Sequence, residues 1–363
     1  MLSPLARAAC LLAFVGLSLP SCSTQSLGQK LVTLMPGVVN DPKNRTLRRE
    51  LLRYGSTEFC KELTRRGAPL KLRDEEPAVG RFFVDQCSYQ ELDNDDAFVQ
   101  FSGAGYAWTQ PTGRVGFRAG AAIVYNPDFL LDSGTMYAYF RPRTVQSTKF
   151  EPVMVERRGA ADLAGALLGE KMETLAARLG AQIVAQELSR GFTVLRDEDG
   201  STDFGLGIID KGKRPFHPYQ VKGSDKLLLA SDTSEVHVEQ REFLGPFVIE
   251  DDKRALYFMG QLDGAQALDL FVMRKEDGEA WARDFIFKPG LTPLPGKPLV
   301  ADVLPGGREY RKVVPLSKGA YYIVLDHSGS AGTVNPPPAG TGLFGATDLA
   351  GVVRYVAQVG DAP

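Results

Sequence analysis

The chain has 363 residues, of which 44% are hydrophobic and 24% are charged, and its formal net charge is −2. This is an ordinary globular composition, and the length is typical of two or three domains. The near-neutral charge argues against a nucleic-acid partner, because the neutralisation of phosphates needs a concentrated basic face.

The chain begins with a segment typical of a secretory signal peptide. One basic residue, Arg7, precedes an apolar run from Ala8 to Leu19. About a dozen apolar residues suit the core of a signal peptide but fall short of the roughly 20 that a membrane-spanning helix needs. We therefore expect residues 1–21 to be a signal peptide.

The end of this segment carries a cysteine in a recognisable context. The sequence Leu19-Pro20-Ser21-Cys22 resembles the lipobox of bacterial lipoproteins. The resemblance implies that signal peptidase II cleaves before Cys22, whose thiol carries a diacylglyceryl group. Ser23, where Asp would mark inner-membrane retention, implies sorting to the outer membrane. Each buried methylene contributes about 0.8 kcal/mol, so several acyl chains would anchor the protein firmly. The alternative is an ordinary secretory signal in which Cys22 is incidental.

The remaining cysteines support an oxidising compartment. Cys10 would leave with the signal peptide and Cys22 would be acylated, which leaves Cys60 and Cys87 as one pair. We predict a disulfide between them. Closure of that loop would contribute roughly 3–4 kcal/mol. The alternative is two separate buried thiols.

Residues 22–40 are predicted to form a lipidated tether, and residues 41–212 an α+β domain. Asp41-Pro42 resembles the start of a helix that ends at Arg66, before Gly67. From Arg81 to Arg157 the period becomes two, which predicts long antiparallel strands. In the stretch VGFRAGAAIVY, one face consists of Val115, Phe117, Ala119, Ala121, Ile123 and Tyr125.

A second helix is predicted over residues 160–190, because apolar residues recur there at spacings of three and four. A long antiparallel sheet packed on such an amphipathic helix is similar in outline to tubular lipid-binding domains, in which a curved sheet leaves an apolar groove. That similarity implies a lipid groove in this domain. The alternative is a solid core in which Gly and Ala permit close packing.

The rest of the chain is predicted to be all-β. Residues 213–226 are rich in Pro, Gly and charge and read as a linker. Residues 227–363 contain about eight strand-like stretches, which predict an antiparallel β-sandwich. This part is similar to accessory sandwiches of secreted bacterial proteins, which implies contact with a protein or a glycan.

Candidate catalytic and metal-binding residues are few. The three histidines, His217, His237 and His327, lack metal-ligand spacing, so we predict no metal site or cofactor. We interpret His217 as a linker residue and His237 as a surface or rim residue. The most enzyme-like stretch holds Asp326, His327 and Ser328, but adjacent strand residues point to different sides, whereas a triad needs one hydrogen-bonded chain.

Three further motifs are explained by turns or loops. Residues 340–345 match G-x-G-x-x-G but follow prolines instead of a strand. Asp93, Asp95 and Asp96 form a loop that could hold calcium but lacks the glycine and the distal glutamate of an EF-hand. The second acidic cluster, Asp197, Asp199 and Asp203, surrounds a D-G hairpin turn, which is sufficient to explain it.

Taken together, these patterns predict a non-enzymatic lipoprotein of the bacterial cell envelope. It would be anchored in the membrane through Cys22, on its periplasmic or surface face, and would bind lipid or an envelope protein. The competing hypothesis is an envelope hydrolase that uses Asp326, His327 and Ser328. The oligomeric state has no signature in the sequence.

Overall fold

The structure is a computed structural model that describes residues 36–44, 46, 48, 49, 52, 60, 63–65, 67–71, 73, 75–109, 112–156, 190–198, 202–219, 226–337 and 350–363. These residues are mostly in strands, which form one seven-stranded sheet and two four-stranded sheets. The α+β class predicted for residues 41–212 is wrong, because this region is organised by a curled half-barrel of strands. The predicted helix over residues 160–190 falls almost wholly outside the described residues.

The half-barrel is an antiparallel meander in which each strand pairs with the next in the chain. Its strands are β1 (Ala68–Leu70), β2 (Gly80–Glu91), β3 (Ala97–Thr109), β4 (Gly113–Asp132), β5 (Thr135–Val155), β6 (Phe192–Arg196) and β7 (Thr202–Leu206). The register shifts between β2 and β3 and at three places between β4 and β5. Such bulges bend strands and increase their twist, which explains why the sheet curls.

The β4–β5 hairpin has a turn of two residues, Ser133 and Gly134. Both have positive φ, at 47° and 82°. This is the geometry of a type I′ turn, whose twist matches that of the strands it joins. A short helix, α1 (Pro36–Val39), lies against β4 near this turn.

One face of the half-barrel, here called the inner face, is a packed apolar core. Its buried members are Val99, Ala121, Ile123, Tyr125, Ala138, Phe140 and Phe192. The disulfide predicted between Cys60 and Cys87 is confirmed, with the two Cα atoms 5.4 Å apart at the border of this core. Apolar side chains of β3, β4, β5 and β6 thus pack together on the inner face, and the opposite, outer face makes other contacts.

The C-terminal strands form two facing sheets with the strand orders β13-β10-β15-β8 and β12-β11-β14-β9. Side chains from both sheets share one apolar core, so the two sheets make a sandwich. The strands are β8 (Leu227–Val236), β9 (Gln240–Ile249), β10 (Arg254–Asp263), β11 (Ala267–Arg274), β12 (Val300–Pro305), β13 (Glu309–Leu316), β14 (Gly319–His327) and β15 (Gly351–Asp361).

A helix, α2 (Lys275–Phe287), connects β11 to β12 and was missed in the sequence, where this region was interpreted as strands. It begins with Glu276 and Asp277 in its first turn, where carboxylates favour the helix dipole. Trp281, Ala282, Phe285 and Ile286 are buried on one side. This side packs between the β12-β11-β14-β9 sheet of the sandwich and the outer face of the half-barrel. The cluster includes Tyr106 of the half-barrel and Phe243 of the sandwich.

Candidate functional site

A groove of about 760 Å³ opens between helix α2 and the outer face of the half-barrel. On the sheet side it is lined by β2 to β5, around Gly103 and Gly120, and on the helix side by Ala282 and Ile286. Small-molecule sites commonly have volumes of about 300–1,000 Å³. The groove therefore has the size of a ligand site and lies where two separate parts of the chain meet.

Two glycines allow the helix to approach its neighbours closely. A Cβ atom at Gly116 of β4 would lie 1.7 Å from the carbonyl oxygen of Ile286, at the end of α2. A Cβ atom at Gly278 would lie 2.5 Å from Cδ2 of Tyr322. Because no larger side chain fits at either position, glycine is required for α2 to lie directly on both sheets. These contacts define one wall of the groove.

The floor of the groove is apolar and aromatic. It includes Phe83, Ala104, Ile286, Phe287 and Tyr322. The rings of Phe83 and Tyr322 lie 6.4 Å apart between centroids, so they join the sheet side of the floor to the sandwich side. Burial raises the pKa of Tyr322, which keeps this phenol neutral.

The rim of the groove carries charges of both signs. The cations are Arg118, Lys149, Arg283 and Lys288, and the carboxylates are Asp85, Glu151, Glu279 and Asp284. Lys288 pairs with Asp284 at 2.8 Å. The guanidinium carbon of Arg118 lies 5.2 Å from the ring centroid of Phe287 and so partly covers the floor. The site thus combines an apolar floor with a mixed-charge rim.

A buried polar network holds the half-barrel against the sandwich near this groove. Glu242 of β9 accepts hydrogen bonds from Arg81 at 3.0 Å, from Tyr106 at 2.6 Å and from Ser234 at 3.0 Å. Burial lowers the pKa of Arg81, but the Glu242 carboxylate raises it further, so it stands above its ordinary value. We call this set of four residues the junction network.

Two buried arginines, one from the half-barrel and one from the sandwich, stack on aromatic rings of helix α2. The guanidinium carbon of Arg114 lies 4.0 Å from the ring centroid of Phe285, and that of Arg241 lies 4.3 Å from the ring centroid of Trp281. Arg114 also donates to Glu156 at 2.9 Å. Burial lowers the pKa of both arginines. The sequence shows no signal for these stacks, because the partners are far apart in the chain.

The structure does not join the enzyme-like residues into a catalytic chain. Asp326 is fully buried; its carboxylate accepts hydrogen bonds from Arg241 at 2.8 Å and from Ser328 at 2.8 Å. Burial raises the pKa of Asp326. The ring of His327 bonds the carbonyl oxygen of Val236 at 3.0 Å, on the other side of the strand. Asp326 and Ser328 are thus in contact, but no described hydrogen bond links either to His327.

The other two histidines lie at contacts between the half-barrel and the sandwich. His217 bonds Asp203 at 2.6 Å and the carbonyl oxygen of Ser231 at 2.7 Å. The prediction of a surface position for His237 is wrong, because its ring is buried and stacks on Trp108 with centroids 3.3 Å apart. The alternation of His237 with Val236 and Val238 predicts that its ring points away from those two side chains. The alternation does not reveal that Trp108 of the half-barrel covers the ring.

Three members of the acidic clusters, Asp96, Asp197 and Asp203, form hydrogen bonds with protein groups. Asp96 accepts hydrogen bonds from Asn94 at 2.7 Å and from Asn126 at 3.0 Å. Asp197 accepts from Arg214 at 2.8 Å, and Asp203 contacts His217. Within the described ranges, no group of three or more His, Cys, Asp and Glu residues is arranged to hold a metal ion.

Several predicted features lie outside the described residues. These are the signal peptide, Cys22 with most of the tether, Asp199, and the glycine motif at 340–345. In the part of the chain that the structure describes, none of the helices has the length and hydrophobicity needed to cross a bilayer.

Comparison with known proteins yields no family. No protein-family model matches the chain, and no curated protein matches it. Solved structures with some similarity include a mutant GH32 β-fructofuranosidase from Bombyx mori in complex with sucrose, at 9% identity and a TM-score of 0.16, covering 77% of this chain and 66% of that one. A second structure of this Bombyx mori enzyme has 8% identity and a TM-score of 0.15, covering 80% and 78%. The chain spans just under two thirds of the first structure, and such scores carry no argument about function.

Proposed function

We propose that this protein is a non-enzymatic lipoprotein of a bacterial cell envelope, anchored in the outer membrane through Cys22, and that its groove binds an amphiphile. The observation that carries the binding role is the groove itself, with its apolar floor between helix α2 and the half-barrel. The anchoring role is supported by the lipobox-like sequence that ends at Cys22.

The ligand class follows from the lining of the groove. An acyl chain would lie along the floor, between Phe83 and Phe287, because contact with apolar side chains removes its methylenes from water. Each methylene removed from water contributes about 0.8 kcal/mol. An acyl chain can therefore supply most of the binding free energy.

The rim favours a headgroup that carries both charges. Four cations and four carboxylates line the groove, so a phosphate and an ammonium group could each find a partner of opposite charge. An anion alone would also meet the carboxylates, and like charges repel. We therefore propose a zwitterionic phospholipid as the ligand.

The binding role is tested by mass spectrometry of lipids that copurify with the protein. Ser102 lines the groove, and Ser88 lies on the same outer face outside it. We expect phospholipid in the native protein and in the Ser88→Trp variant, and its loss in the Ser102→Trp variant, in which the indole fills the groove. A native protein free of lipid, or equal lipid content in both variants, would contradict the proposal.

The anchor is tested by the mass of the N-terminal peptide. We expect an acylated peptide that begins at Cys22 in the native protein, and no acylated peptide in the Cys22→Ala variant, which signal peptidase II would no longer cleave. The Cys10→Ala variant is the matched control, because Cys10 would leave with the signal peptide and its loss would not alter the acylated peptide. An unmodified native peptide would exclude the anchor.

A further inference from the structure

We infer that the end of the half-barrel at the β4–β5 hairpin rests on the membrane, and that the partner of this surface is the lipid bilayer itself. The inference rests on the proposed lipid anchor at Cys22. It concerns a different surface from the groove, because the hairpin turn at Ser133 and Gly134 is not among the residues that line the groove.

The first described residues of the chain lie at this hairpin. The side-chain amide of Asn40 donates to the carbonyl oxygen of Leu131 at 2.7 Å, and the backbone N–H of Leu131 donates back to Asn40 at 2.8 Å. Cys22 precedes Pro36 by 14 residues, so the chain between them spans at most about 50 Å even when fully extended. An anchor at Cys22 therefore keeps this end of the half-barrel within reach of the bilayer.

A second segment, residues 211–216, is held at the same hairpin. Lys211 forms an ion pair with Asp132 at 2.9 Å, directly before the turn. Arg214 donates to the hydroxyl of Thr135 at 3.3 Å, directly after it. The hairpin turn therefore lies between this segment and the contacts of Asn40.

Apolar side chains are exposed on both of these segments. Phe216 is 52% exposed, more than any other large apolar side chain in the described part of the chain, and Val38 is 40% exposed. Aromatic and aliphatic side chains next to cations are typical of surfaces that lie in the interface of a bilayer. Val38 and Phe216 each lie two residues from a residue that contacts the hairpin, and they are here called the hairpin-end residues.

The charges beside Phe216 indicate how this end of the half-barrel would bind the membrane. Lys211, Lys213 and Arg214 pair with Asp132, Asp210 and Asp197. Because each cation has a carboxylate partner within the protein, little net charge remains to attract anionic lipid. The contact would therefore depend on apolar side chains and respond weakly to salt.

The test uses the full-length acylated protein in vesicles of phosphatidylethanolamine and phosphatidylglycerol that contain nitroxide-labelled lipid. A fluorophore is attached in the Phe216→Cys variant, and in the Val313→Cys variant as a matched control, because Val313 is 41% exposed on the sandwich. We expect quenching by the nitroxide to be several-fold stronger at position 216 than at 313, and to persist at high salt. Equal quenching at both positions would overturn the inference.

The two proposals fail in different ways. If the native protein does not float with the vesicles, the anchor is wrong and the membrane surface fails with it. If the protein floats but both labels are quenched equally, the surface alone is wrong. Because position 216 is half exposed, we expect the melting temperature to be unchanged; should the Phe216→Cys variant unfold, the Val38→Cys variant gives the same reading.

Discussion

The core of the sandwich and the junction network are both buried, but they are built from different chemistry. The sandwich core consists of apolar side chains such as Leu256, Leu262 and Ile323, which are fully buried. The junction network instead buries a charged pair, Arg81 and Glu242, with two hydroxyl groups. Apolar contacts favour burial in many arrangements, whereas a buried ion pair is favourable only where its geometry is good and its other polar groups are hydrogen-bonded.

This difference bears on the groove, because its two walls belong to opposite sides of the junction. One wall is the outer face of the half-barrel, and the other is helix α2 of the sandwich. Because the junction network is favourable only with good geometry, we expect it to fix the distance between these two walls. We therefore expect the sandwich core to determine stability, and the junction network to determine stability and groove shape together.

The largest effect is expected from breaking the junction network. The Glu242→Gln variant leaves the guanidinium of Arg81 buried without a carboxylate, and we expect the free energy of unfolding to fall by about 3–5 kcal/mol. Urea unfolding measures it. The control is Glu309→Gln, which removes an exposed ion pair with Arg311 and should change the stability by less than about 1 kcal/mol.

The double variant Arg81→Met with Glu242→Leu sharpens this test. It leaves no buried charge, so we expect it to recover part of the stability that Glu242→Gln loses. We expect little bound lipid in Glu242→Gln and in this double variant, because neither keeps the ion pair that fixes the geometry of the junction. If the double variant is less stable than Glu242→Gln, the interpretation of the junction is wrong.

A slightly smaller effect is expected at the disulfide, which belongs to the half-barrel alone. Replacing Cys60 and Cys87 with serine opens a loop with a sequence separation of 27, and we expect a loss of about 3.5 kcal/mol. Hydrogen exchange should become faster in β2 and β3 and stay unchanged in the sandwich. Equal acceleration in both parts would show that they unfold as one unit.

In the sandwich core, the Leu256→Ala variant leaves a cavity and should lose about 3 kcal/mol. Urea unfolding again measures the loss, and Val313→Ala on the exposed side of the same sandwich should lose less than about 0.5 kcal/mol. Unlike Glu242→Gln, the Leu256→Ala variant should keep its copurified lipid. Loss of lipid in this variant would remove the distinction between core and junction.

The smallest effect is expected at His217, which bonds Asp203 of the half-barrel and Ser231 of the sandwich. Burial lowers its pKa, but the hydrogen bond from the ring to Asp203 raises it further, and nearby Asp232 adds to this, so it lies above 6.5. The stability from protonated His217 is therefore present below pH 6.5 and is lost as the pH rises through the folded pKa.

We expect the native protein to be more stable than the His217→Gln variant by about 1 kcal/mol at low pH. The difference should shrink as the pH rises above 6.5. Unfolding free energies of both proteins across this range measure it. A difference that grows with pH would contradict the assignment.

Some of these features could be predicted from the sequence because they depend on local patterns or on few alternatives. The disulfide follows once Cys10 and Cys22 are assigned elsewhere, since only Cys60 and Cys87 remain. The alternation from Val115 to Tyr125 correctly placed a buried face on β4. In both cases the residues themselves carry the whole signal.

Other features depend on contacts between distant parts of the chain and could not be predicted. The curl of the half-barrel depends on bulges, which alternation does not reveal. Helix α2 has only 13 residues and follows a strand directly, although the spacing of Trp281, Phe285 and Ile286 could have indicated it. The groove exists only because α2 lies on Gly116, which precedes it by more than 150 residues.

The position of β15 has a consequence for folding. β15 lies between β10 and β8, in the middle of its sheet. Until β15 pairs with them, β8 and β10 each present an open edge that can pair with another chain. The folding protein thus passes through an aggregation-prone stage that ends when β15 enters the sheet, and a helper that shields these edges would act on β8 and β10.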